Sequence, residues 1–154
     1  MSHGHSPLGT AAAEAEYQEG SLVVDRATGT RRALIVDDTL TDRCVLRWYA
    51  ESCGCLASEA RSLREMMAIM QEWPPDVLVL DIIMLDSDGI EIMRHLRAMK
   101  CELPLLLVSG WHGLLRPVYN LGAAYGLNVI DVIAKPVDAH IFKTTLRRAL
   151  ITDT

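Results

Sequence analysis

Two adjacent carboxylates, Asp37 and Asp38, follow the apolar run 33–36, and a third, Asp81, follows the run 77–80. A hydroxyl, Ser109, closes the run 105–108, and an ammonium, Lys135, stands just beyond the run 129–133. These side chains have a joint use. Crowded carboxylates repel one another and favour a hard divalent cation with oxygen ligands, normally Mg2+. With the cation on one oxygen of an arriving phosphoryl group, Lys135 on a second and Ser109 on a third, Asp81 becomes an acyl phosphate. Singly, each residue has a plainer reading: Ser109 before Gly110 as a turn, Lys135 as a solvated strand end, Asp37-Asp38 as a helix-capping pair. The successive intervals Asp38 to Asp81, Asp81 to Ser109 and Ser109 to Lys135 are 43, 28 and 26 positions, far beyond any local motif. The chemistry therefore needs a fold that gathers the ends of distant segments.

A parallel sheet does this. From Arg31 onward, short apolar runs alternate with longer segments of helical period, the pattern of strands joined by crossover helices. Strands are expected at 33–36, 56–59, 77–80, 105–108 and 129–133, the second being poor in β-branched residues. Helices are expected at 41–52, 63–72, 90–99, 112–125 and 139–150. Ser62 with Glu65 three residues on reads as a capping box, Asp138 as an N-cap, and Trp73-Pro74-Pro75 as a helix stop. Leu63, Met66, Met67 and Met70 form a stripe at helical spacing that core packing explains. Parallel crossovers are right-handed and cover both faces of the sheet, so five such units give a three-layer αβα sandwich with ligands at the carboxyl ends of the strands.

The composition narrows the function. The chain has 154 residues, room for one domain and little else, with half its residues apolar and a net charge of -5 from 15 bases and 20 acids. No basic face for nucleic acid is indicated. No apolar run approaches the ~18 residues of a membrane span, and no export signal precedes the fold, so a soluble, cytoplasmic protein with free thiols is expected. Cys53 and Cys55 lack partners at zinc spacing and read as small core or turn residues. Residues 1–30, rich in Gly, Ser, Ala and Glu, read as a flexible tail, and residues 151–154 as a short end after the folded unit 31–150.

The chain resembles a two-component response regulator receiver domain over that folded unit. Leu34-Ile35-Val36-Asp37-Asp38 resembles the family's acidic pair, and Val77-Leu78-Val79-Leu80-Asp81 with Asp88-Gly89 its phosphoacceptor segment. Leu107-Val108-Ser109-Gly110 is similar to its hydroxyl position, and Ala134-Lys135-Pro136 to its lysine, usually followed by a cis bond. The resemblance implies a flavodoxin-like, doubly wound five-stranded sheet of order 2-1-3-4-5. It also implies Mg2+ held directly by Asp38 and Asp81, by Asp37 through water, and by the backbone carbonyl of Ile83. Three positions depart from the pattern: Leu85 replaces a common proline, Val132 replaces the usual aromatic switch residue, and the interval from Ser109 to Lys135 is a few residues long. The fourth helix is accordingly expected to be lengthened, displaced or irregular.

The expected function is that of a single-domain receiver, a Mg2+-dependent phosphoryl acceptor and switch with at most slow autophosphatase activity. Its partners would be a sensor histidine kinase or histidine phosphotransfer protein and a downstream protein. Leu40, Arg43 and Arg47 are candidates for donor docking, Trp111, His112 and Tyr119 for relaying the switch, and Ile83 and Trp111 for shielding the acyl phosphate from water. The alternatives are a receiver-fold interaction module that acts without phosphorylation and an aspartyl-phosphate phosphatase. The latter places its nucleophile after the first strand in an Asp-x-Asp motif, which Asp37-Asp38-Thr39 lacks.

Overall fold

Five short strands pair side by side into one parallel sheet of order β2-β1-β3-β4-β5. They are β1 (Arg32–Val36), β2 (Leu56–Ala60), β3 (Val77–Asp81), β4 (Leu105–Ser109) and β5 (Val129–Ala134). The computed structural model describes residues 29–85 and 89–151. The expected tail up to residue 28, Asp88 of the phosphoacceptor motif, and the last three residues lie outside the described residues.

The helices α1 (Leu40–Ser52), α2 (Leu63–Glu72), α3 (Gly89–Ala98) and α4 (Leu115–Ala124) fill the four connections, and α5 (Ala139–Ile151) follows β5. Side chains of a strand alternate between faces, so each central strand feeds two cores. Leu34, Val36, Leu78, Leu80, Leu105 and Leu107 pack with Met66 of α2, Ile92, Met93 and Leu96 of α3, and Val118 of α4. Ala33, Ile35, Val77, Val79, Leu106 and Val108 pack with Leu46 and Ala50 of α1 and Phe142, Leu146 and Ala149 of α5. Each fully buried Leu or Val contributes about 1.5–3 kcal/mol. The order and the three layers are those expected from the sequence. No helix among the described residues is long and apolar enough to cross a membrane.

Local signals set the element ends. The Ser62 hydroxyl accepts from the Glu65 N–H (3.1 Å), but the Glu65 carboxylate reaches back to the Arg61 N–H (2.9 Å), one residue short of a reciprocal capping box. Asp138 caps α5 by accepting from the Ile141 N–H (2.9 Å). The fourth helical segment begins as a 3-10 turn, His112–Leu114, and becomes α-helical only at Leu115. Pro117 is the reason. A helix running from His112 would hold this proline in its interior, where a missing N–H and the ring clash break the ladder, whereas in the first turn of α4 it costs nothing. Edge strand β5 carries an extra residue, because Leu105 pairs with Val129 and Leu106 with Asp131.

Candidate functional site

The sheet delivers the chemistry-bearing residues to one edge through its register. Asp81, the last residue of β3, pairs with Val108, and the next residue of β4, Ser109, pairs with Ala134. The Lys135 N–H then donates to the Ser109 carbonyl (2.8 Å), and the Asp37 N–H to the Ala60 carbonyl (3.0 Å). The Lys135-Pro136 bond is cis. Asp37, Asp81 and Ser109 are buried; Asp38 is half-buried. Gly89 opens α3 hard against this edge: a Cβ there would lie 2.5 Å from Ile82 Cα, so only glycine lets the helix start so near Asp81.

Backbone donors aim the carboxylates. Asp37 Oδ1 accepts from the Thr39 N–H (2.9 Å), Asp81 Oδ1 from the Ile83 N–H (3.0 Å), and Asp38 Oδ2 from the Leu85 N–H (2.7 Å). One oxygen each of Asp37, Asp38 and Asp81 lies within 4.8 Å of the others. This all-oxygen, multiply anionic set fits a hard divalent cation such as Mg2+. Lys135 Nζ meets the other side of the cluster, donating to Asp37 Oδ2 (2.8 Å), Asp81 Oδ2 (3.0 Å) and Asp42 Oδ2 (2.7 Å).

The electrostatics follow from burial and crowding. Burial, with the neighbouring Asp37 charge, pushes Asp81 up to about 6, against the opposing pull of the Ile83 N–H and Lys135. Burial would lower Lys135, but its three carboxylate hydrogen bonds outweigh that and hold it above the usual lysine value. Asp81 is thus the site's strained anion and Lys135 a fixed cation.

The other residues singled out by sequence divide. The Ser109 hydroxyl is tied to Trp111, accepting from its N–H (3.0 Å) and donating to its carbonyl (3.3 Å). His112 Nε2 meets the Lys135 carbonyl at 2.9 Å, linking the 3-10 turn to the site. Ile83 and Trp111 line one apolar cavity of ≈ 300 Å³ with Ile90, Met93 and Leu114, among others. Tyr119 and Val132 share a separate depression on the β5 side of α4. Leu40 is exposed at the start of α1, but the two arginines are not free cations. Arg43 holds Glu59 (3.0 Å) and the Asp37 carbonyl (2.8 Å), and Arg47 bonds to Glu59 (3.0 Å), tying α1 to β2. The described cysteines are all free; Cys53 and Cys55 are buried, and burial pushes the Cys55 thiol up to about 12.

Sequence reasoning missed Asp42 and Glu59. An acid in the first turn of a helix is ordinarily explained by the helix dipole, which hid Asp42. Its position four residues after Asp38 was the available signal.

Residues 33–147 match the model of the response regulator receiver domain. The protein-glutamate methylesterase/protein-glutamine glutaminase 2 of Burkholderia thailandensis is 33% identical over 114 residues, 69% of this chain and 30% of that protein. The regulator of RpoS of Escherichia coli is 26% identical over 107 residues, 70% of this chain and 31% of that protein. The chain thus spans less than a third of the length of these curated relatives. The receiver domain of NtrX from Brucella abortus superposes with a TM-score of 0.70 at 25% identity, covering 79% of this chain and 99% of that one. A response regulator from Colwellia psychrerythraea gives a TM-score of 0.64 at 32% identity over 77% and 97% of the two chains.

Proposed function

The chain belongs to the response regulator receiver domain family, and from that premise we propose that it is a Mg2+-dependent phosphoryl acceptor at Asp81 that signals by contact with another protein. The donor is a sensor histidine kinase or a histidine phosphotransfer protein. The observation that carries this reading is the convergence on one sheet edge of three carboxylates within 4.8 Å and a lysine bonded to two of them.

In the transfer, an Asp81 carboxylate oxygen attacks the phosphorus in line, the O–P bond forms, and the P–N bond to the donor imidazole breaks with its electron pair leaving on the ring. The Ile83 N–H orients the Asp81 carboxylate, and Lys135 offers positive charge where phosphoryl charge gathers. The Ser109 hydroxyl turns from Trp111 to a phosphoryl oxygen. Mg2+, held by Asp38, Asp81, the Ile83 carbonyl and, through water, Asp37, would neutralise the clustered anions and the incoming charge. The protein is a switch rather than a turnover enzyme.

The test is labelling by acetyl phosphate. Asp81→Asn abolishes it, and so does excess chelator in the parent protein. Equal labelling in either condition rejects the assignment.

A further inference from the structure

An ammonium has three N–H donors. In Lys135 all three are spent on carboxylates: Asp37, Asp42 and Asp81. Before Lys135 can donate to a phosphoryl oxygen, one of these bonds has to open. Asp37 is fully buried, and its other oxygen is fixed by the Thr39 N–H. Asp81 is the acceptor itself, anchored by the Ile83 N–H. Asp42 is different. Its side chain is 41% exposed, and its side-chain hydrogen bond to Lys135 is the only one it makes among the described residues. It also borders, with Lys135, Val45 and Tyr49, a cavity of ≈ 190 Å³ into which its carboxylate can swing and rehydrate. The first turn of α1 tolerates the released anion, because the amino end of a helix favours negative charge.

We propose that Asp42 is a positioning residue: it latches Lys135 in the unphosphorylated protein and yields it to the arriving phosphoryl group. The latch rests on the phosphoacceptor reading above. It stabilises the resting state, so its removal has two effects of opposite sign. The free protein loses an ion pair, while the phosphorylated form no longer competes for the lysine.

The affinity arm titrates the protein with beryllofluoride in Mg2+ buffer, followed by 19F NMR. Asp42→Ala and Asp42→Asn bind the analogue roughly three- to tenfold more tightly than the parent, the range for a half-exposed charge-assisted bond. Asp42→Glu, which keeps the charge, restores affinity towards the parent's. Unchanged or weaker binding in the neutral variants overturns the latch, and so does a gain that Asp42→Glu shares in full. The second arm needs neither metal nor analogue. A double-mutant cycle of Asp42→Ala with Lys135→Met, read by urea unfolding, gives a stabilising coupling; strictly additive effects overturn the contact. A merely structural Asp42 would lower stability and leave analogue affinity where it was. If the parent itself neither binds beryllofluoride nor is labelled, the phosphoacceptor reading falls and the release step falls with it, whatever the cycle gives.

Discussion

Asp81 sits between one buried like charge, Asp37, and one ammonium, Lys135, and burial decides the balance by raising its pKa to about 6. A carboxyl raised in the folded state stabilises the fold below its unfolded value near 3.8, and that contribution is lost as pH rises through about 6. At neutral pH the ionised side chain therefore costs the metal-free fold on the order of 3 kcal/mol, at about 1.4 kcal/mol per unit. Asp81→Asn removes that cost. In chelator at pH 7.5 it melts several degrees above the parent, at about 4 °C per kcal/mol, and the gap closes towards pH 4. A gap that widens as pH falls contradicts this sign. On the proposed function, single residues would also set the lifetime of the acyl phosphate. Ile83 has no hydrogen-bonding side-chain group, and Trp111, 63% exposed, offers only an indole N–H on an apolar body. Both border the same apolar cavity after the strand ends, and neither has a side-chain acceptor that would orient an attacking water. Ile83→Asn and Trp111→Glu, singly and together, accelerate dephosphorylation, by roughly tenfold for the pair if ~1.4 kcal/mol of barrier is removed. A parent that already decays as fast as the double variant removes shielding as the explanation.

At the scale of elements, α1 is tied to the sheet by its arginines and, on the proposed function, also offers the donor its surface. Arg43 and Arg47 clasp Glu59 and bind α1 to β2, and these bonds, with the arginine charges, outweigh burial and lower the Glu59 pKa. Charge reversal at the arginines thus breaks an internal clamp and is a poor probe of docking. The exposed apolar side chains Leu40, Val45 and Trp48, the last 68% exposed, are the better one. On the proposed function, Leu40→Ala and Trp48→Ala slow transfer from the cognate phosphohistidine donor severalfold while acetyl phosphate labelling stays unchanged, because the small donor needs no surface on α1. A parallel loss with both donors assigns these residues to the fold instead. On the proposed function, the segment after β4 would carry the response. Ser109 is tethered to Trp111, and His112 to the Lys135 carbonyl, so drawing the Ser109 hydroxyl to a phosphoryl oxygen loosens the start of the 3-10 turn. Val132, beside α4 rather than in the site, has no ring to rotate, and on the proposed function the 3-10 turn takes its place as the coupling element.

The whole molecule is a sheet whose two cores hold five strands so that their carboxyl ends share an edge. Much of this was legible in the sequence, because the signals are local. Apolar runs bounded by polar residues define strands, and Ser62, Asp138 and Trp73-Pro74-Pro75 mark helix ends whatever the rest of the chain does. Once strands and helices alternate, handed crossovers leave few topologies, and Asp37, Asp38, Asp81, Ser109 and Lys135 fall on one edge in all of them. The start of α4 was legible in principle from Pro117, but the apolar period masked it. Partner choice was not legible. Lys135 meets Asp42 across 93 positions, Arg43 and Arg47 reach Glu59 rather than solvent, and Ser109 turns to Trp111. The sequence by itself determined which groups stand at the strand ends, since periodicity and capping act within a few residues. Only the tertiary structure decided which of those groups bond to each other, since hydrogen bonds and ion pairs depend on ångström separations fixed by helix packing against the sheet.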